Sequence, residues 1–247
     1  MNPVTFNGVA IPSFVKVRGI EFSVLPELSV QYQELPRTLG GSFLYTQKGT
    51  KKFILDILIE LPNGRALFDC AEEFGDWLQG DNYSPCKLEF SEMPDCYYMA
   101  NVNGAVNVSD IFVAGEGSVE FLAVDPSKYS NKSLEVSGNS PLTVDYSGKV
   151  AQPFVVTFTV PQESTLLGIT NVRTNKTMRL KGTFKQGDTV TFDTRKKQVI
   201  YNNQINMRLL SIDSEWLTLL SGANSLRLTV NNSASSAVLN VSSKIAF

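Results

Sequence analysis

Histidine is absent from all 247 residues of this chain. Histidine is the usual general base near neutral pH and the commonest metal ligand in proteins. Its absence excludes Ser–His–Asp and Cys–His catalytic arrangements and most zinc sites. The sequence therefore favours a protein that is not an enzyme, and it predicts no cofactor and no bound metal ion.

Cysteine is scarce, and strong net charge is missing. Cys70, Cys86 and Cys96 are an odd number without a Cys-x-x-Cys pair, a pattern that predicts free thiols. The formal net charge is only −2. Dedicated nucleic-acid-binding domains are normally basic, so we predict no sequence-specific binding of nucleic acid.

Long hydrophobic runs are also missing. Asp56 and Glu60 interrupt the longest apolar stretch, residues 53–61, so no membrane-spanning helix and no membrane insertion are expected. The first fourteen residues lack a basic segment followed by an apolar run, which argues against a signal peptide. The chain is long enough to bury a core without a disulfide or metal, in one large or two modest domains.

The first half reads as strands with one helix. Residues 52–61 predict a strand whose buried face carries alternate apolar side chains. Residues 65–79 predict a helix, because Leu67, Phe74, Trp77 and Leu78 recur at helical spacing. The helix carries three acidic residues on its opposite face, which we interpret as a solvated surface: Glu72, Glu73 and Asp76.

Residues 88–104 predict a strand, a tight turn and a second strand. Met93-Pro94-Asp95 interrupts the hydrogen-bond ladder, because proline has no N–H group to donate. The second strand begins at Tyr97-Tyr98 and ends at Asn103-Gly104. Residues 106–113 and 118–124 predict a further β-hairpin rather than a phosphate-binding loop.

The composition changes over residues 126–150, which are rich in Ser, Asn and Gly and show little apolar periodicity. We place the domain boundary here, with domains at residues 1–129 and 130–247. After this segment, short alternating strands recur between turn signals to the end of the chain, and they predict a β-sandwich or jelly roll. The predicted fold class is mainly β: an α+β N-terminal domain with one helix, then a β-sandwich.

Several motifs, in order, resemble the distal tail protein family of long-tailed, non-contractile bacteriophages. The second half is similar to that family's galectin-like or carbohydrate-module-like sandwich, at residues 187–193 and 199–203. Two patterns stand in the first half, "[D/E]-x-P-x-x-Y-Y" and then "F-x-x-x-D-P-x-x-Y". The positions that carry the resemblance are Phe6, Asn7, Gly8, Trp77, Leu78, Glu92, Pro94, Tyr97, Tyr98, Phe121, Asp125, Pro126 and Tyr129.

The resemblance implies a structural protein of the virion, located at the phage tail tip and made in the host cytoplasm. It implies a homo-oligomer, a hexameric ring hub built by the first domain, with a β-sandwich outer domain. The implied partners are the tail-tube protein, the tail-associated baseplate protein and, in some phages, a receptor-binding protein, with DNA passing through the lumen.

A head-to-tail ring needs two different complementary patches on each subunit. The Trp77-bearing side of the first domain is one candidate. The other is an unusually apolar loop, which carries Leu35, Arg37, Leu39, Phe43, Leu44 and Tyr45.

Two further interpretations stay open. A carbohydrate-binding or adhesin module could stack a sugar on Trp216 or Tyr201. A glycosidase would need two carboxylates across one bond, for which Glu89, Glu92 and Asp95 are the nearest set, although acids beside a turn are common for turn chemistry alone. Asp188 and Asp193 are candidate calcium ligands, but no calcium-loop pattern exists there, and acids in hairpin turns account for them better.

Overall fold

The structure is a computed structural model that describes residues 3–34, 40–62, 64–104 and 116–247. The chain forms two compact units, unit 1 at residues 1–128 and unit 2 at residues 129–247. Strands dominate both units, so the predicted mainly-β fold class is confirmed. Within the described part of the chain, no helix is long and apolar enough to cross a membrane.

Unit 1 combines antiparallel strands with the predicted helix. Its elements, in chain order, are β1 (Val4–Phe6), β2 (Val9–Ala10), β3 (Val15–Phe22), β4 (Leu28–Glu34), β5 (Gly41–Lys48), β6 (Lys51–Ile59), α1 (Leu67–Gln79), β7 (Cys86–Phe90), β8 (Cys96–Asn103) and β9 (Glu116–Ala123).

The main sheet of unit 1 has the order β2-β1-β7-β8-β9-β6-β3, with antiparallel neighbours throughout. Strand β6 turns Phe53, Leu55, Ile57 and Ile59 into the core, as the alternation predicts. Strands β4 and β5 pair with each other in a separate two-stranded sheet.

Helix α1 begins at Leu67, two residues later than predicted. Arg65, at the predicted start, lies outside the helix and forms an ion pair of 2.7 Å with Glu73. Gly80 ends the helix with a φ of +61°, a value that favours glycine. A Cβ atom at this position would lie 2.8 Å from the ring of Phe6, so glycine also permits close packing here.

Unit 2 is all-β apart from one short 3-10 helix in the described residues. Its elements are β10 (Tyr129–Asn139), β11 (Leu142–Tyr146), β12 (Phe154–Thr159), β13 (Ser164–Asn171), β14 (Lys176–Phe184), β15 (Thr189–Asp193), β16 (Gln198–Tyr201), β17 (Gln204–Ile205), the 3-10 helix (Met207–Leu209), β18 (Gly222–Val230), β19 (Ser233–Ala234) and β20 (Val238–Ala246).

Two sheets make up unit 2. One has the order β17-β16-β15-β12-β20-β10, and the other has the order β14-β13-β18-β11 with β19 beside β18. Their facing side chains share one core, in which the largest fully buried members are Tyr146, Phe154, Phe158, Phe184 and Phe192. The predicted β-sandwich is therefore present.

Two segments contain more strand than their composition suggests. The turn-rich segment 126–150 contains the eleven-residue strand β10 and the whole of β11, because pairing with neighbouring strands outweighs the poor strand propensity of Ser, Asn and Gly. Residues 43–45, expected in a loop or hairpin tip, lie in strand β5 of the β4–β5 hairpin. The predicted strand at 106–113 falls outside the described residues.

Candidate assembly interface

Three of the resemblance-carrying positions meet in the core of unit 1. Phe6 comes from β1, Trp77 from α1 and Phe121 from β9. Their ring centroids lie 5.1 Å apart for Phe6–Phe121, 5.8 Å for Phe6–Trp77 and 6.2 Å for Trp77–Phe121, all edge-to-face. Such pairs add stabilisation beyond the burial of their area. This aromatic cluster joins the helix α1 to two strands of the sheet, β1 and β9.

The neighbouring positions shape the backbone around this cluster. Asn7 and Gly8 have φ values of +52° and +76° and make the tight turn between β1 and β2. The Trp77 indole N–H donates to the Val9 carbonyl at 3.0 Å, which ties the helix to the outermost strand β2. Leu78 is also buried. These residues act by holding β1, β2 and α1 together.

The second motif places an exposed turn before two buried tyrosines. Glu92 and Pro94 are exposed in the turn between β7 and β8, where Asp95 has a φ of +66°. Tyr97 and Tyr98 are the second and third residues of β8 and are both buried. The motif therefore contains the turn that reverses the chain between β7 and β8 and the two buried tyrosines that fix β8 in the sheet.

Tyr98 also faces a buried lysine. Lys51 is only 7% exposed, and its ammonium nitrogen lies 5.0 to 5.6 Å from the ring centroids of Phe22, Phe53 and Tyr98. Its Nζ donates to the Tyr98 hydroxyl at 3.3 Å. Burial, with a smaller effect from Lys128, lowers the pKa of Lys51, and burial raises the pKa of Tyr98. Lys51 is the first residue of β6, and the contacts described for its ammonium group include three aromatic rings and the Tyr98 hydroxyl but no carboxylate.

The last motif closes unit 1. Asp125 accepts a hydrogen bond from the Ser127 backbone N–H at 3.0 Å, a local turn that Pro126 continues. Tyr129 then begins β10, with the Lys244 ammonium 5.5 Å from its ring centroid. This motif marks the passage from one unit to the next along the chain.

The hairpin of β4 and β5 presents an uncovered apolar face. Its register pairs Val30 with Thr46 and Tyr32 with Phe43, and a bulge leaves Leu44 without a direct partner. Because side chains alternate along a strand, Leu28, Val30, Tyr32 and Phe43 share one face. The opposite face is mainly polar, with Tyr45 as the exception, and consists otherwise of Ser29, Gln31, Gln33, Ser42 and Gln47.

Exposure of this apolar face is large. Leu28, Val30, Tyr32 and Phe43 are 47%, 55%, 60% and 63% exposed. We define them as the apolar hairpin face. A contiguous exposed apolar patch of this kind indicates an interaction surface.

Only part of the predicted interface loop can be compared with this face. Leu35, Arg37 and Leu39 fall outside the described residues, whereas Phe43, Leu44 and Tyr45 lie in β5 and are exposed. Our sequence reasoning did not include the three contributors from β4. Their signal is the strict alternation of apolar and polar residues over 28–33, which is typical of a strand with one apolar face.

A groove lies beside the predicted second patch. It has a volume of about 320 Å³, and it runs between α1 and the β1–β2 hairpin. Trp77 and Phe6 are largely buried at this groove, Val9 is 58% exposed, and Glu73 and Asp76 contribute carboxylates. The Trp77-bearing side of unit 1 thus offers a concave surface with apolar and acidic parts.

The acidic residues considered for catalysis or calcium have local structural roles. Glu92 and Asp95 lie in the β7–β8 turn and Glu89 within β7. Asp193 accepts hydrogen bonds from the backbone N–H groups of Arg195 and Lys196. Among the described residues, no group of three or more His, Cys, Asp or Glu side chains could hold a metal ion.

Asp188 is held by three donors. Its carboxylate accepts hydrogen bonds from the Tyr201 hydroxyl, the Asn202 amide at 3.0 Å and the Lys185 backbone N–H at 2.7 Å. The Tyr201 hydrogen bond is the largest influence that lowers the pKa of Asp188 below its ordinary value of 3.8. These contacts fasten the β14–β15 turn to the β16–β17 turn.

We expect Asp188→Asn to lower the thermal midpoint at pH 7 and to have little effect at strongly acidic pH. The native pKa of Asp188 is depressed, so its charged form stabilises the fold above the unfolded-state pKa, and this contribution is lost as pH falls through the native pKa. Thermal unfolding of both proteins between pH 2 and 7 tests this window. A constant difference across the whole range would contradict it.

A comparison with family models gives one match, within unit 2. Residues 147–242 match the family described as siphovirus-type tail component, C-terminal domain. The predicted resemblance to phage distal tail proteins is thereby confirmed. The match covers less than half of the 247 residues. No curated protein sequence matches this chain.

The whole chain is similar in fold to the crystal structure of SPP1 Dit (gp 19.1). This structure is described as a paradigm of the hub adsorption apparatus in phages that infect Gram-positive hosts. The TM-score is 0.77 at 15% identity, and 99% of this chain and 98% of that chain are covered.

Two phage p2 baseplate structures in the activated conformation, with Ca and with Sr, match more weakly. Their TM-scores are 0.47 and 0.49 at 10% and 11% identity. The matches cover 92% and 95% of this chain, and 91% and 92% of those chains.

Proposed function

We propose that this chain is a structural distal tail protein of a long-tailed, non-contractile phage. It forms a hexameric ring hub that joins the tail tube to the tail-tip or baseplate apparatus used in host adsorption, and DNA passes through its lumen. The observation that carries this proposal is the match of residues 147–242 to the siphovirus tail component family. The proposal assigns the chain to the virion and gives it no catalytic role.

The apolar hairpin face supports the assembly part of the proposal. Four large apolar side chains on one side of an isolated two-stranded sheet are costly to leave in water, because burial of each contributes about 1.5–3 kcal/mol. A neighbouring subunit can cover them. Residues 1–129 build the ring in this proposal, and residues 130–247 form its outer domain.

A closed ring uses two different patches on each subunit. We assign the apolar hairpin face as one patch and the groove beside Trp77 as the other. The groove presents Phe6, Val9 and Trp77 together with Glu73 and Asp76, so it can receive apolar side chains at its floor and polar groups at its edge. The tail-tube protein and the tail-associated baseplate protein then contact the ring, and a receptor-binding protein is a further partner.

The mass in solution tests the proposal directly. The chain mass is 27.2 kDa, so a six-fold ring has a mass of about 163 kDa. We expect light scattering coupled to size exclusion to give this mass, and negative-stain images to show rings of six. A chain that stays monomeric at every concentration, and also in the presence of tail-tube protein, would contradict the proposed ring.

A further inference from the structure

The two units carry opposite net charge. Unit 1, residues 1–128, contains 9 Lys and Arg residues against 17 Asp and Glu residues, so its formal net charge is −8. Unit 2, residues 129–247, contains 13 Lys and Arg residues against 7 Asp and Glu residues, so its formal net charge is +6. The net charge of −2 for the whole chain therefore hides a strong separation of charge, which steers association between molecules.

The topology of unit 2 gathers exposed cations at one end of its sandwich. The strand register places the ends of β11 and β13 beside the first half of β18, and it places the end of β15 beside the start of β12. The turns that follow β11, β13 and β15 therefore lie at the same end, because the turn after β11 leads into β12. Five exposed cations stand in these three turns, and we define them as the basic end: Lys149, Arg173, Arg195, Lys196 and Lys197.

The positive charge of the basic end is not neutralised within unit 2. The buried carboxylate of Asp193 accepts hydrogen bonds from the backbone N–H groups of Arg195 and Lys196, at 3.0 and 2.9 Å, and so orders the turn that presents their side chains. The ion pairs of unit 2 in the described part of the chain involve Lys176 and Arg179, not the five cations of the basic end. The basic end is therefore available to carboxylates of another molecule.

Helix α1 presents the complementary charge in unit 1. Its exposed face carries four carboxylates at intervals of three or four residues, a spacing that places them together: Asp69, Glu72, Glu73 and Asp76. We define them as the acidic helix face. Arg65 neutralises part of this charge through its ion pair of 2.7 Å with Glu73. Glu73 and Asp76 also line the groove beside Trp77, so the acidic helix face continues a surface assigned above to subunit contact.

We propose that the basic end of one copy binds the acidic helix face of a neighbouring copy. This inference rests on the proposed ring, and it adds a contact between the same two subunits that the hairpin and the groove bring together. The contact is heterologous, with one surface of each kind on every subunit, as a closed ring requires. Opposite potentials also fix which surfaces meet. A polyanion such as nucleic acid fits the basic end less well, because it would approach a chain whose unit 1 carries a net charge of −8.

The test reverses each charged surface separately in the full chain. The end-reversed variant carries Arg195→Glu, Lys196→Glu and Lys197→Glu, and the helix-reversed variant carries Asp69→Lys and Glu72→Lys. The matched control reverses three exposed cations away from the basic end, with Lys181→Glu, Lys185→Glu and Arg208→Glu. Thermal unfolding checks that each variant is folded, and an Arg195→Gln, Lys196→Gln and Lys197→Gln variant removes the charge without reversing it.

Light scattering coupled to size exclusion then measures the concentration at which half of each protein is assembled. We expect this concentration to rise at least tenfold for the unmodified chain between about 50 and 500 mM NaCl, because salt screens exposed charges. At the lower salt concentration, each reversed variant alone should show a rise of at least tenfold, and the control should match the unmodified chain. An equimolar mixture of the two reversed variants should assemble at a lower concentration than either alone, since alternation in a ring of six restores opposite charges at the contacts.

A hexamer that forms equally well in both reversed variants would overturn this contact and leave the proposed ring in place. A mixture that assembles no better than the separate variants would also overturn it. An unmodified chain without self-association at either salt concentration overturns the contact, whereas the ring itself is judged with tail-tube protein present. Binding of a labelled DNA duplex that is lost in the end-reversed variant, without any change in assembly, would assign the basic end to nucleic acid instead.

Discussion

Replacement of Phe121 by alanine is expected to lower the free energy of unfolding of unit 1 by about 3–5 kcal/mol. Phe121 is fully buried and makes edge-to-face contacts with Phe6 and Trp77. Its removal leaves a cavity at the point where β1, α1 and β9 meet. The loss therefore affects the attachment of the helix to the sheet as well as local packing.

Urea denaturation can measure this effect in unit 1 alone. The chain has two tryptophans, with Trp77 in unit 1 and Trp216 in unit 2. In a Trp216→Phe background, the fluorescence of Trp77 reports on unit 1. Phe68→Ala is the matched control, because Phe68 lies in α1, the helix that carries Trp77, and its side chain is 74% exposed.

The control should change the free energy of unfolding by less than about 0.5 kcal/mol, as surface substitutions usually do. A Phe121→Ala effect as small as that of Phe68→Ala would show that the aromatic cluster does not stabilise unit 1. A converse experiment in a Trp77→Phe background follows Trp216 and shows whether unit 2 unfolds with unit 1.

The periodicity of apolar residues predicted the strands and the helix of unit 1 better than it predicted the contacts between these elements. The alternation in residues 52–61 was sufficient to identify the buried face of β6, because burial on one side of a strand imposes a two-residue period. The helical spacing likewise identified Phe74, Trp77 and Leu78 as core residues. These patterns reflect the immediate environment of each segment.

The meeting of Phe6, Trp77 and Phe121 could not be predicted in the same way. These residues are far apart in the sequence, and their contact depends on the order of strands in the sheet. All three are among the positions that carry the family resemblance, but the resemblance alone does not explain why these residues occur there. The structure supplies that reason, since all three belong to one aromatic cluster.

Strand β10 illustrates a different limit of sequence-based prediction. It lies in a segment whose composition is typical of turns. Ser, Asn and Glu at alternate positions carry no hydrophobic signal, so a strand with a solvated face resembles a loop in the sequence. Its pairing with β20 in the sheet identifies it as a strand.

The bulge in the β4–β5 hairpin shows why the assembly surface was only partly identified. Without the bulge, Phe43 and Tyr45 would share a face by simple alternation. The observed register pairs Tyr45 with Gln31 and Phe43 with Tyr32, which are on opposite faces of β4. A sequence pattern does not specify such a shift, so the position of Phe43 on the same face as the β4 side chains follows from the structure alone.

The proposed ring makes the apolar hairpin face the most sensitive target for assembly. The double variant Val30→Glu and Phe43→Glu is expected to convert the hexamer of about 163 kDa into a 27.2 kDa monomer. Each substitution removes an apolar side chain worth about 1.5–3 kcal/mol on burial and places a carboxylate in the interface. Because six identical interfaces are affected, weakening each of them removes the closed ring.

The control places two carboxylates on the opposite face of the same hairpin. Gln33→Glu and Gln47→Glu add the same charge, and register and alternation place these side chains with the polar set. Light scattering should show that this variant keeps the mass of the unmodified chain. Loss of the hexamer in both variants would indicate an effect of charge rather than of the apolar face. An intact hexamer in the Val30→Glu and Phe43→Glu variant would exclude this face from the subunit contact and would leave the groove beside Trp77 without its proposed partner.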